Sequence, residues 1–393
     1  MELTEKIEYL NTLGFNVDAE SIAKNSLKTV IVGMSGGVDS SATAILVKLL
    51  GYKTIGMFMK NWEEIDADGV CTAEEDFHDV IKVCEEIDIP YYSVNFSEEY
   101  KNNVFNDFVA EYKMGHTPNP DILCNREIKF KVFFEKAKSF GADFLATGHY
   151  CQSLNEGGHT KLVKGLDRNK DQTYFLYAIK EHVLKDVMFP IGHLPKPKVR
   201  EIAEKFNLVT FDKKDSTGIC FIGERNFKEF LSNYIKGQRG KFVNLDNERE
   251  MGTHDGMCFY TIGQRKGLGL GGPGGPWFVA KKDIDNNIVY VVEGEENPAL
   301  YADELTATEI SWIGEEPTLP LKCMAKIRYR QVDQECLIEK KGDDLHIRFL
   351  KPQRAVAIRQ SIVIYAGDIC LGGAIIKQSG QTYKEMAKEL PIF

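Results

Sequence analysis

The hexapeptide Ser35-Gly36-Gly37-Val38-Asp39-Ser40 constrains this chain more than any other stretch. It follows an apolar run, Thr29 to Met34, that predicts a buried parallel strand. It precedes Ser41 to Leu50, which predicts a helix stopped at Gly51. A strand, a Gly/Ser turn and a helix start form a cradle for an anion. Glycines let the backbone approach closely, and the unpaired N–H groups and dipole of the helix point at negative charge. Gly33, Met34, Ser35, Gly36, Gly37, Val38, Asp39 and Ser40 are the candidate phosphate-holding residues. A Walker-type loop would need Gly-x-x-x-x-Gly-Lys-Ser/Thr, and no lysine occupies that place. An ordinary Gly-rich strand-to-helix turn has the same local chemistry, so the turn alone names no nucleotide.

At 393 residues the chain is too long for one core and predicts two or three domains. From Lys28 to Ile222 short apolar strands (Thr29–Gly33, Lys53–Met59, Tyr91–Asn95, Asp143–Gly148) alternate with helical patterns (Ser41–Leu50, Ala73–Glu86, Glu98–Tyr112, Asn125–Phe140). That alternation predicts an α/β, Rossmann-like parallel sheet that binds ligands at the carboxyl ends of its strands. A helix pattern at Asn226–Ile235 and a Gly-rich stretch at Gly267–Gly275 predict a small central domain. Short β-like runs at Met324–Tyr329, Glu335–Ile338, Leu345–Phe349, Ser361–Tyr365 and Ile369–Lys377 predict a C-terminal β-barrel. The expected division is an N-terminal extension at 1–27, a catalytic domain at 28–222, a central domain at 223–300 and the barrel at 301–393.

With 43% apolar residues and no apolar run of bilayer length, the chain predicts no membrane span. Met1 to Lys28 is acidic and lacks arginine, so it carries neither a signal-peptide nor a transit-peptide pattern, and the expected compartment is the cytoplasm. Nine scattered cysteines then predict thiols. A net charge of −9 argues against a generally basic nucleic-acid binder but leaves room for local basic patches.

Two cysteines lie outside core-like patterns. Cys124 follows the stiff run His116-Thr117-Pro118-Asn119-Pro120-Asp121, and a helix pattern begins near Asn125. A thiolate at a helix start is stabilised by the dipole, Arg126 and Lys129 add positive charge, and Asp121 is a candidate proton carrier. Cys220 is flanked by turn residues in Asp215-Ser216-Thr217-Gly218-Ile219-Cys220. Spacing alone leaves both open to the alternative of a small buried hydrophobe. Cys84, Cys258, Cys336 and Cys370 fit that alternative well.

The phosphate loop Ser35–Ser40 resembles the PP-loop of ATP pyrophosphatases. Taken with Asn119-Pro120-Asp121, Cys124-Asn125, Lys170-Asp171-Gln172 before Tyr174-Phe175-Leu176, Thr217-Gly218-Ile219-Cys220-Phe221-Ile222-Gly223, Gly263-Gln264-Arg265-Lys266-Gly267 and Arg328-Tyr329-Arg330, in that order, the chain resembles the MnmA family of tRNA-specific 2-thiouridylases. The resemblance runs from Lys28 to Lys377. Thr173 stands where the family pattern has serine, and keeps the hydroxyl.

The resemblance implies a tRNA-uridine 2-sulfurtransferase acting on the wobble uridine. ATP, with Mg2+ held near Asp39, adenylates the 2-carbonyl so that AMP can leave, and the metal travels with the substrate. Met59 and Gly148 match adenine-side contacts. Cys220 carries a persulfide and Cys124 attacks it, releasing sulfide or assisting its transfer, with a Cys124–Cys220 disulfide as the result. Asn119, Pro120 and Asp121 line the target-base pocket, which the flipped base enters. His149, Lys170, Asp171, Gln172, Arg328, Tyr329 and Gln360 match tRNA contacts. A persulfide-donating carrier protein or cysteine desulfurase is the implied partner, and the enzyme is expected to be a monomer without an iron–sulfur cluster.

Local readings compete at several of these positions. Met59 also fits plain core packing, Asp121 a turn-forming residue after proline, and His149 a structural imidazole. The basic runs Lys236–Lys241 and Lys326–Arg330 also fit solvated surface. Three other functions share parts of the pattern. A PP-loop synthetase adenylating a small molecule needs neither a second cysteine nor an RNA-binding barrel. A non-catalytic RNA-binding protein would bind ATP without releasing pyrophosphate. A cluster-bearing thiolase needs grouped cysteines such as Cys-x-x-Cys, which this sequence lacks.

Overall fold

The structure, a computed structural model, describes residues 1–62, 72–215, 227–271 and 274–391. Two compact units divide the chain. Unit 1 comprises Met1–Val104, Pro120–Glu224 and Asp368–Leu371; unit 2 comprises Phe105–Asn119, Arg225–Gly367 and Gly372–Phe393.

Unit 1 begins with two helices, α1 (Leu3–Thr12) and α2 (Ala19–Asn25). Asp18 starts the second by accepting the Ser21 N–H at 2.8 Å. Strand β1 (Thr29–Met34), helix α3 (Val38–Leu49), strand β2 (Lys53–Lys60), helix α4 (Thr72–Glu86) and strand β3 (Tyr91–Asn95) follow. Further strands are β4 (Phe144–Ala146), the hairpin β5 (Cys151–Glu156) and β6 (His159–Lys164), and β7 (Val187–Met188). Five of them form a parallel sheet in the order β3-β2-β1-β4-β7, the predicted architecture. The centre of the sheet is β1, where Val30 pairs with Thr54 and with Phe144. Its Val30, Ile31, Val32 and Met34 are buried, as a strand covered on both faces requires.

The sequence reading set residues 1–27 apart as an extension. Leu10, Leu13 and Ile22 instead share one apolar cluster with Val30, Leu46, Val83 and Val199, so these helices complete unit 1. The predicted helix at 98–112 is also divided. Ser97–Tyr100 is α-helical, Lys101–Phe105 is a π-turn, and Asn106–Lys113 resumes the α-helix.

Unit 2 contains a four-stranded sheet of β8 (Gly240–Asn244), β9 (Glu250–His254), β10 (Trp277–Asp283) and β11 (Ile288–Glu293), in the order β10-β11-β8-β9. Its core is Phe242, Tyr260, Trp277, Val279, Val289 and Val291. The predicted helix near 226–235 is Phe227–Ser232 among the described residues. The C-terminal barrel has six antiparallel strands: β12 (Tyr301–Trp312), β13 (Leu321–Lys326), β14 (Gln334–Lys341), β15 (Asp344–Arg354), β16 (Ser361–Ala366) and β17 (Ile369–Ser379). They follow the order β12-β15-β14-β13-β16-β17, and pairing of β12 with β17 closes the ring, which removes the exposed edges. Strand β13 ends at Lys326, so Arg328 and Tyr329 lie in a turn and not in the predicted strand.

Truncation inside the shared cluster tests whether the first helices belong to unit 1. Leu10 is fully buried, so Leu10→Ala should lower unfolding stability by about 2–5 kcal/mol in urea denaturation. A change below about 0.5 kcal/mol would make the N-terminal helices a detachable appendage.

Candidate active site

The phosphate loop connects β1 to α3 at the carboxyl edge of the parallel sheet. Gly37 caps α3 with extended backbone and no side-chain hydrogen bond, leaving the helix start without a built-in carboxylate or hydroxyl cap. Ser40 folds the loop on itself. Its Oγ accepts the Ser35 N–H at 3.2 Å and donates to the Gly37 carbonyl at 3.0 Å, while Ser41 Oγ donates to the same carbonyl at 2.9 Å. Gly36 has a φ of +73°, and a Cβ there would meet the Asp76 carbonyl oxygen at 2.6 Å. Gly148 lies just past β4, where a Cβ would come within 2.9 Å of Asp39 C and Ser40 N. The loop therefore runs between two backbone segments that admit no side chain. Met59, in β2, is buried, and Gly33 faces the Phe133 ring.

Asp39, in the first turn of α3, accepts three hydrogen bonds. The Tyr150 phenol donates to Oδ1 at 2.7 Å, and Lys196 Nζ donates to Oδ1 and Oδ2 at 2.8 and 2.9 Å. Lys196 Nζ also meets Asp215 Oδ1 at 2.8 Å. Asp215 receives Lys170 Nζ at 2.6 Å and Arg200 Nη2 at 2.8 Å as well. Burial alone would raise the Asp215 carboxyl, but hydrogen bonds from Lys170 and Lys196 outweigh it and hold the group at about 2. Burial, with Asp39 beside it, pushes the Tyr150 phenol far up, so it stays a proton donor. Lys213 Nζ donates to the Gly36 carbonyl at 3.0 Å and pairs with Asp76 and Asp79 at 2.9 and 2.7 Å. Both Asp39 oxygens thus serve an ammonium already. This donor set does not fit the divalent cation that the sequence reading put there.

The segment Lys170-Asp171-Gln172 braces the same corner. Gln172 accepts the Tyr150 N–H through Oε1 and donates its own N–H to the Tyr150 carbonyl, both at 2.9 Å. Asp171 is buried and accepts from Gly165 N at 3.0 Å and from Thr173 Oγ1 at 2.9 Å, which uses the hydroxyl that Thr173 retains. His149 is buried too. Its Nδ1 lies 2.8 Å from Thr147 Oγ1, and its ring packs against Phe130 and Phe189. Burial, aided by Lys129, lowers its pKa well below the ordinary 6.5 and keeps the imidazole neutral.

Cys124 is fully buried and opens a π-helical stretch, Cys124–Phe133, that follows an α-turn at Pro120–Leu123. The sequence reading placed it at a helix start. The helix starts instead at Pro120, because proline is tolerated in a first turn, and Asp121 lies in that turn. Arg126 is paired with Glu127 at 2.8 Å. The adjacent Asn125 donates to the Phe175 carbonyl at 3.1 Å, while its Oδ1 has no partner among the described residues. Cys220 and the whole Thr217–Gly223 motif lie outside the described residues. Cys84, Cys151, Cys258, Cys336 and Cys370 are buried thiols, and burial pushes Cys84 up to about 12.

In unit 2, Arg328 Nη2 donates to the Ala355 carbonyl at 3.0 Å, and Gln360 Nε2 to the Thr117 carbonyl at 2.6 Å. Tyr329 shares the turn after β13 with Arg328, and Asn119 ends the Phe105–Asn119 segment of this unit.

Two groups escaped the sequence reading. Lys196 carried no signal beyond its neighbouring prolines. Asn61, directly after β2, is 1% exposed, and neither its Nδ2 nor its Oδ1 has a hydrogen-bond partner among the described residues. A lone asparagine after a strand has no sequence signature of that kind.

Residues 28–224 match a family described as the tRNA methyl transferase HUP domain. Residues 228–293 match the tRNA methyl transferase PRC-barrel domain, and 302–376 the aminomethyltransferase beta-barrel domain. The chain is 57% identical over 366 residues to the tRNA-specific 2-thiouridylase MnmA of Protochlamydia amoebophila, spanning 93% of this chain and 97% of that protein. It is 54% identical to the tRNA-specific 2-thiouridylase MnmA of Francisella tularensis subsp. holarctica, over 89% of this chain and 99% of that one. It is also 54% identical to the protein of that name from Halalkalibacterium halodurans, over 88% and 94%.

Two measurements probe the site. Gly148→Ala should press on the phosphate loop, costing about 1–3 kcal/mol and abolishing thermal stabilisation by ATP; unchanged melting with and without ATP would show that the loop yields freely. The folded state binds a proton at His149 less readily than the unfolded state, whose imidazole titrates near 6.5. Stability contributed by neutral His149 is therefore present above that value and lost as pH falls below it. His149→Leu should flatten the decline in melting temperature between pH 7 and 5, and parallel wild-type and variant curves would refute this.

Proposed function

This chain belongs to the tRNA-specific 2-thiouridylase family, and we propose from that premise how its residues carry out the ATP-dependent thiolation of a tRNA uridine. The observation that carries the reading is the phosphate loop at the sheet edge in a chain whose relatives of that name match it over nearly its whole length. A small-molecule synthetase, the alternative from the sequence, is not favoured by relatives named as tRNA-specific 2-thiouridylases that match 89–93% of this chain.

The substrate position is the wobble uridine. Its ring oxygen attacks the α-phosphorus of ATP, a P–O bond to pyrophosphate breaks, and the 2-oxygen is carried off in an AMP leaving group. Gly33 to Ser40 hold the phosphates through backbone N–H groups, with Met59 and Gly148 toward the adenine. Mg2+ enters with the ATP substrate, and no protein ligand is assigned to it.

Sulfur arrives on Cys220 as a persulfide from a carrier protein or desulfurase. Its terminal sulfur attacks C2 and AMP departs. The Cys124 thiolate then attacks Cys220 Sγ, breaks the S–S bond and frees the thiolated base, leaving a Cys124–Cys220 disulfide for an external thiol to reduce. Asp121 takes and returns protons at the base, in a pocket lined by Asn119, Pro120 and Asp121. Arg328, Tyr329, Gln360, His149 and Lys170-Asp171-Gln172 are the tRNA-side residues of this reading. Asp171, Gln172, Arg328 and Gln360 are each also hydrogen-bonded within their own unit. The protein works as a cytoplasmic monomer.

Reconstituted thiolation with 35S-labelled persulfide donor tests this scheme. Cys220→Ser should hold no label on the protein and make no 2-thiouridine. Cys124→Ser should retain label on Cys220 but pass none to tRNA, and both variants should still bind ATP. Wild-type rates of 2-thiouridine formation in Cys124→Ser would overturn the relay.

A further inference from the structure

The phosphate loop lacks the lysine that a Walker-type loop supplies from within its own sequence, yet the structure brings a lysine to it from 157 positions along the chain. Lys196 opens the helix Lys196–Lys205, whose Val199, Ile202 and Ala203 pack in the same core as Ala42 and Leu46 of α3. That packing sets the Lys196 ammonium beside the first turn of α3. Its backbone is fixed as well, since Lys196 N–H donates to Asp167 Oδ2 at 3.1 Å. The side chain is 10% exposed, and three hydrogen bonds to Asp39 and Asp215 use its three donors.

A buried ammonium held by two carboxylates is costly to place and is weak evidence of a stabilising role. This one sits where an oxyanion held at the start of α3 would compete for its donors. Lys196, Lys170 and Arg200 gather around Asp39 and Asp215 at this corner, so an incoming phosphate finds ammonium and guanidinium donors beside the loop. Both Asp39 oxygens are committed to this ammonium and to the Tyr150 phenol, which makes Asp39 an anchor for a cation the protein itself provides.

We propose that Lys196 is the phosphate-binding lysine of the ATP site, oriented for that contact by Asp39 and Asp215. The proposal rests on the ATP-activation reading above and adds to it the residue that grips the polyphosphate. In the ATP complex an ammonium N–H moves from a carboxylate oxygen to a phosphate oxygen, and positive charge meets the charge that develops as pyrophosphate leaves. Lys196 in this role touches substrate, whereas Asp215 acts through Lys196 and is a positioning residue.

The test compares ATP with adenosine by isothermal titration calorimetry. A charge-assisted contact to phosphate predicts that Lys196→Met loses about 10-fold to 100-fold in ATP affinity with adenosine affinity unchanged. Lys196→Arg should recover most of the difference. Because Met leaves two carboxylates without their cation and the variant can fail to fold, Lys196→Gln, which keeps an N–H donor for Asp39, carries the same comparison without the charge. Equal losses for ATP and adenosine, or a neutral variant with wild-type preference for ATP, would overturn the assignment of Lys196. A wild-type protein that binds adenosine as tightly as ATP would overturn the ATP-activation reading itself.

Discussion

The carboxyl edge of the parallel sheet depends on how the charge of Asp39 is balanced. Asp39 stands in the first turn of α3, where the helix dipole favours an anion, and a nearly buried ammonium needs such a partner to offset the loss of its hydration. Once Lys196 is committed to Asp39, the neighbouring groups fall into place. Tyr150 adds a phenol to the same carboxylate, Gln172 holds the Tyr150 backbone in both directions, and Asp215 closes the far side of Lys196 with Lys170 and Arg200. Four stretches distant in sequence, around residues 39, 150, 170 and 196–215, are joined by one charge network. Taking away any one partner would leave a poorly solvated charge behind.

The sheet was readable because its signals are local. Thr29–Met34, Lys53–Lys60 and Tyr91–Asn95 are short apolar or β-branched runs between turn residues, and each is a strand. The barrel was readable as several short strands, but β12 was not, since its alternation in Tyr301–Trp312 is filled with Asp, Glu and Thr and takes its meaning from closure against β17. Helices α1 and α2 carried too few apolar residues to announce a core role. Leu10, Leu13 and Ile22 acquire one only where unit 1 offers them a surface, which is a tertiary property. The divided helix around residues 97–113 reads as continuous because a π-turn changes the bond pattern and not the composition.

The phosphate loop was legible for the same reason as β1: glycine and serine in that order have few other uses between a strand and a helix. Lys196 was not, because a lysine among prolines in Pro195-Lys196-Pro197-Lys198 reads as a solvated charge until the fold buries it. Cys124 shows the opposite failure. It was singled out by residue type, and the electrostatic reason offered for it assumed a helix beginning one residue later, whereas Pro120 begins it earlier and Arg126 pairs with Glu127. Asp171 and Gln172 were picked out as contacts for a partner. They are also hydrogen-bonded within their own unit, and a motif read from sequence does not separate those two uses.

The route of the backbone through the two units bears on how the protein comes into being. Unit 1 takes its last four residues from Asp368–Leu371, and unit 2 takes its first fifteen from Phe105–Asn119. No single cut of the gene releases either unit whole. During synthesis unit 1 remains incomplete until Leu371 has left the ribosome, by which time nearly all of unit 2 has been made. Unit 1 is thus completed only after most of unit 2 has been made, so the two units are not finished one after the other in chain order.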